Sequence, residues 1–157
     1  MIIRYIKCNG QGACILVIKV RENGTIIGGY NPFGWNFDGL EYNDGEYNEF
    51  DEFNDYYNGR NYNGSRSINC EEYWRNTTES FIFSLDDGKD SKKFKISRVT
   101  NENYALYVTN YALDFGNGDL IINGTNGTCY QCYYESNILD TNDFSIDEME
   151  IFNFYQN

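Results

Sequence analysis

Nowhere in this chain do apolar residues recur at the 3.6-residue period of an amphipathic helix; they alternate, or run together in short β-branched blocks between turn formers. Residues 13–20 (ACILVIKV) form such a block, Arg21-Glu22-Asn23-Gly24 reads as a turn, and residues 25–30 (TIIGGY) resume the strand pattern, which together predict a hairpin. A second hairpin is expected from residues 80–85 (SFIFSL), a turn at 86–89 and residues 94–99 (FKISRV), with Phe81 and Phe83 on one face and Phe94 and Ile96 on one face. Short strands follow at 104–108 and 120–122, and residues 144–154 (FSIDEMEIFNF) suit either a closing strand or a short helix. The expected fold is mainly β (α+β), a two-layer antiparallel β-sandwich with few short helices. A length of 157 residues fits one domain.

Charge and missing residue types narrow the function. A formal charge of −12 repels phosphate backbones and anionic lipid, so nucleic acid is an unsuitable partner and membrane insertion is not expected. The longest apolar run, residues 13–18, is far too short to span a bilayer, and MIIRYIKC lacks the apolar block of a signal peptide. A cytoplasmic setting is therefore expected, with its five Cys reduced. Without any His, the chain has no Ser-His-Asp or Cys-His pairing and no His-containing zinc site.

Composition shifts sharply only at residues 36–66, which hold eight acids against two Arg, with seven Asn, five Tyr and three Phe. The few burial candidates there cannot offset the entropy of ordering so many residues, so this Asn/Tyr-rich acidic insertion is expected to be disordered and dispensable. Spaced Tyr and Phe also suit weak self-association. Asp38, Asp44 and Asp51 lack the spacing of a calcium loop.

Six motifs in order, KC..QG…VIKV…IIGGYNPFGW, ESFIFSL, FKISRV, DFGNGDLII, Cys129 and FSIDEMEIF, resemble the TLDc domain, the module of oxidation-resistance proteins and certain nuclear receptor coactivators. GGYNPFGW and ESFIFSL are most similar to expanded fungal members, which are often joined to BTB or Kelch-like regions. The resemblance spans the chain apart from the insertion, which separates Trp35 from Trp74. MIIRYI does not match the family's opening strand and helix, so residues 1–157 are expected to be a single TLDc-like domain that is N-terminally truncated, exposing a sheet edge and apolar side chains near Ile15, Val17 and Ile27. Gly-Pro-Ser-Phe-Gly of the family reads Ala112-Leu113-Asp114-Phe115-Gly116 here.

The resemblance implies a two-sheet sandwich, no catalytic centre and no cofactor, a part in oxidative-stress protection, and binding to the vacuolar proton-pumping ATPase as protein partner. Its motif positions are Gly28, Gly29, Trp35, Ser80, Phe81, Phe115, Gly116 and Glu150, as structural or partner-contact residues. The Gly28-Gly29 pair suits a bulge or a close approach within a strand, Gly116 and Gly118 suit positive φ, and Glu150 suits an exposed carboxylate.

Two alternatives come from the residues themselves. Cys129-Tyr130-Gln131-Cys132 is a CxxC, the motif of thiol redox enzymes, but no βαβ context surrounds it. Pairing it with Cys8 and Cys14 for zinc needs an unusual five-residue gap. Five N-x-[ST] sequons, at Asn23, Asn63, Asn76, Asn123 and Asn126, would suit a secreted β-sandwich glycoprotein, though about two arise by chance at this composition. The reading of the sequence is a non-enzymatic interaction domain.

Overall fold

A computed structural model describes residues 12–35, 73–109 and 112–154. The acidic insertion at 36–66 and the opening MIIRYI lie outside the described residues. Ten strands form among the described residues: β1 (Cys14–Val20), β2 (Ile26–Asn31), β3 (Tyr73–Arg75), β4 (Phe81–Ser84), β5 (Lys95–Arg98), β6 (Leu106–Val108), β7 (Leu113–Phe115), β8 (Leu120–Asn123), β9 (Asn126–Thr128) and β10 (Asp143–Asn153). All pairings between them are antiparallel, in the order β3-β6-β7-β8-β9-β10-β1-β2-β4-β5. The fold is mainly β. Among the described residues, helix is limited to two three-residue 3-10 turns, at Ser91–Lys93 and Glu102–Tyr104.

β10 joins the two layers. Its first three residues pair with β9 of the second sheet, and from Ile146 onward it pairs with β1 of the first. Between these halves the register shifts, Val20 facing Ile146 and Lys19 facing Glu148, so Asp147 is the extra residue of a bulge. A bulge bends a strand and increases its twist, which lets one strand serve both sheets. The strand alternative for residues 144–154 is the one the chain adopts.

Strict alternation in β1 buries Cys14, Leu16, Ile18 and Val20. These pack with Ile27 and Ile82 of the first sheet and with Leu106, Leu113, Phe115, Leu120 and Ile122 of the second, forming one core between the layers. Both expected hairpins are present, as β1–β2 and β4–β5. β3, β7 and β9 went unread in the sequence, because three-residue strands are too short to show a period, and β9 (Asn-Gly-Thr) carries no apolar residue.

The expected sheet edge near Ile15, Val17 and Ile27 is not there. β1 lies between β10 and β2, and β2 between β1 and β4, so the edges of the described order are β3 and β5. Ile27 is fully buried, while Ile15 and Val17 are half-buried. The eleven-residue β10 supplies the neighbour that β1 needs.

The glycine pair in β2 has a specific packing role. The strand pairs regularly on both sides, so no bulge forms at Gly28 or Gly29. Instead an aromatic ring lies against each face of the strand. A Cβ at Gly29 would stand 2.6 Å from Phe115 Cζ on the core side; one at Gly28 would stand 2.6 Å from Phe83 Cζ on the outer side and would also collide with the Leu16 carbonyl oxygen. Gly29→Ala is expected to destabilise the fold by about 1–3 kcal/mol through overpacking, and Phe115→Leu in the same chain to recover part of it. Urea denaturation of both variants checks this; additive losses would show that the ring is not what Gly29 accommodates.

Candidate interaction surface

The strand register lays two rows of side chains across the outer face of the first sheet. One runs Phe152, Ile15, Tyr30, Phe81, Arg98; the next runs Glu150, Val17, Gly28, Phe83, Ile96. Tyr30 stacks on Phe81 with centroids 5.4 Å apart, Phe81 meets Phe83 at 6.5 Å, and Phe154 approaches the Tyr30 ring edge-on at 6.4 Å. Gly28 leaves the space over its strand that the Phe83 ring occupies. Ile96 is 56% exposed, Phe152 51% and Phe154 48%. An apolar face of this extent with a polar rim is the form that protein contacts take on soluble domains.

Of the motif positions read in the sequence, Gly28, Phe81 and Glu150 belong to this face. Phe81 is half-buried within it, and Glu150 is exposed opposite Val17. The others sit behind it as support. Phe115 spans the core from β7 to Gly29 and meets Trp35 edge-on at 5.4 Å. Ser80 Oγ donates to the Tyr30 carbonyl at 2.7 Å and lies 2.8 Å from the Tyr134 hydroxyl, which donates to the Ala105 carbonyl at 2.8 Å. Burial drives the Tyr134 phenol well above its usual pKa, so it stays protonated. Gly116, at φ +71°, leaves space that a Cβ would take from Asp119 and Tyr134. Gly118 also has positive φ, at +143°.

Sequence reasoning passed over Asp114 and Asp119, two acids of the Asp-Phe-Gly-Asn-Gly-Asp motif. Asp119, 1% exposed, accepts three backbone N–H bonds: from Cys132 at 2.9 Å and Tyr134 at 3.1 Å through Oδ1, and from Tyr133 at 2.7 Å through Oδ2. It ties the β7–β8 turn to the segment carrying the CxxC. Asp114, 4% exposed, is held by the backbone N–H groups of Asn117 and Gly118, while its Oδ1 has no partner among the described residues. Burial raises both carboxyls above the usual range, Asp114 to about 7, and the charge of Asp119 adds to the rise at Asp114. An acid beside glycines in a turn gives no hint in sequence that it will be buried.

The CxxC sits in the loop after β9, with Cys129 buried and Cys132 exposed, both free thiols. Burial raises both thiols, and Asp119 adds to the rise in each. Redox nucleophiles need the opposite shift. Among the described residues, no group of three or more His, Cys, Asp or Glu stands where it could hold a metal ion, and no helix is long and apolar enough to cross a membrane. The sequon residues Asn23, Asn76, Asn123 and Asn126 are exposed, and Asn63 lies outside the described residues.

Fold and surface together define a β-sandwich domain with an aromatic outer face braced by a buried hydrogen-bond network. A model of the TLDc domain family matches residues 61–155, more than half the chain, and the protein belongs to that family. No curated protein matches it. The matched span covers β3 to β10, yet β1 and β2 lie between β10 and β4 in the same sheet, so these two strands are integral to the fold.

Proposed function

We propose that this TLDc domain is a non-enzymatic protein-interaction module acting in the cytoplasm, and that its partner docks on the outer face of the first sheet. The observation that carries this reading is the aromatic face itself, whose most exposed members are Ile96, Phe152 and Phe154. The raised thiols of Cys129 and Cys132 speak against the oxidoreductase alternative. Family membership suggests the setting: protection against oxidative damage, or regulation of the vacuolar proton-pumping ATPase.

The immobilised chain is expected to bind the purified peripheral sector of that ATPase, with affinity falling about tenfold or more in Ile96→Lys and Phe152→Lys, as for anchors at the centre of an interface. Both side chains are about half exposed, so the fold tolerates the change. Binding that the two variants leave unchanged would place the contact elsewhere on the domain. No binding at all would remove the ATPase as partner.

A further inference from the structure

Resting on the reading of the first sheet's outer face as an interaction surface, we propose that, when no other partner is bound there, the same face of a second copy of this chain occupies it. The two sheets stack about a two-fold axis parallel to the strands. Arg98 stands at one side of the face, on edge strand β5, and Glu150 at the other, on β10, with apolar and aromatic side chains between them. Lys19 already pairs with Asp147 and Glu148, at 3.1 and 2.7 Å, whereas neither Arg98 nor Glu150 has an ion-pair partner among the described residues. Two unpaired opposite charges flanking an apolar strip make a surface complementary to itself.

The direction of the axis follows from the same rows. A two-fold parallel to the strands reverses the order of strands and keeps each row at its own height. It therefore lays β5 of one copy over β10 of the other and brings Arg98 over the partner's Phe152, one row from the partner's Glu150. Adjacent rows are two residues apart, roughly 7 Å, which a guanidinium crossing a sheet spacing of about 10 Å can reach. Arg98 would then meet an aromatic ring and a carboxylate together. Tyr30, in the middle of its row, would stack near its own copy. An axis perpendicular to the strands would instead lay β10 over β10 and β5 over β5, gathering the Glu148 and Glu150 carboxylates of both copies at one side and both Arg98 at the other, and like charges so gathered repel.

Five strands about 4.8 Å apart and a few rows give a face of roughly 500 Å² per copy, on the order of 1,000 Å² in total, at the low end for a specific interface. The dimer should therefore be weak. The net charge of −12 opposes it further at low ionic strength.

Sedimentation velocity of the full chain, from about 5 to about 500 µM in about 0.15 M salt, tests the proposal where the screening length is ~8 Å. The expected result is a mass rising from one chain towards two, with Arg98→Glu and Glu150→Arg each weakening association about tenfold and the double reversal restoring it to within about threefold. Both residues are exposed, so loss of fold does not confound the comparison, and far-UV circular dichroism confirms it. A chain that stays monomeric throughout, or a dimer indifferent to the single reversals, or one that the double reversal fails to rescue, overturns the proposal. Monomeric behaviour would leave the interaction reading standing, since that reading fails separately, if Ile96→Lys and Phe152→Lys bind the ATPase sector as the unmodified chain does.

Discussion

Asp119→Ala should be among the most damaging single changes in this domain, costing about 3–5 kcal/mol. The substitution leaves the N–H groups of Cys132, Tyr133 and Tyr134 without their acceptor in a place that water reaches poorly. It also frees the segment that delivers the Tyr134 hydroxyl to Ser80 and Ala105, so the loss spreads into the link between the sheets. Asp119→Asn should fall between the two. An amide with its oxygen in place of Oδ1 still accepts from Cys132 and Tyr134, but turns an N–H donor towards the N–H of Tyr133. Urea denaturation measures the loss, and amide exchange at residues 132–134 locates it, with protection falling first at those three groups. A loss under about 1 kcal/mol with exchange unchanged would show that the latch is incidental.

Asp114→Asn should act in the other direction. In the folded chain the carboxyl titrates at about 7, against an ordinary value of 3.8. Between those two pH values the folded state holds a proton that the unfolded state has released, so stability falls as pH rises across that window and levels off above it. Three units at about 1.4 kcal/mol each bound the penalty at about 4 kcal/mol above pH 7. The amide has the same shape, still offers one oxygen to Asn117 and Gly118, and never ionises. At pH 8 the variant should therefore be more stable by up to that amount, and at pH 4.5 nearly equal to the unmodified chain. The groups around the carboxyl are Asp119 from the same turn, the Cys132 thiol from the following loop, and Tyr107 and Ile121 opposite it on β6 and β8. Of these, Asp119 is the one whose charge adds to the rise at Asp114. Melting curves of both proteins from pH 4.5 to 8.5 check the slope. Parallel profiles would mean that Asp114 is hydrated or charged at no cost.

Both residues lay in plain sight in the sequence, and their roles did not. Short-range pattern alone determined the strand character, the two long hairpins and the mainly β class, because side-chain alternation and turn residues act within a few positions of each other. The absence of His removed whole classes of chemistry by the same local reasoning. Motif order pointed to the family to which the chain belongs.

Tertiary structure decided the rest. Which strand lies beside β1 depends on a pairing between residues more than a hundred positions apart, Lys19 with Glu148, and no local pattern encodes it. That pairing closed the edge expected near Ile15 and Val17 and turned their side of the sheet into an aromatic face. The Gly28-Gly29 pair was legible as a site of close approach, but the approaching groups, Phe83 on one side and Phe115 on the other, come from two different layers. Asp114 and Asp119 are buried because a loop more than ten residues further along folds over their turn. Burial is a property of what the rest of the chain places nearby, and it is burial that makes one carboxylate a latch and the other a neutral-pH titrant.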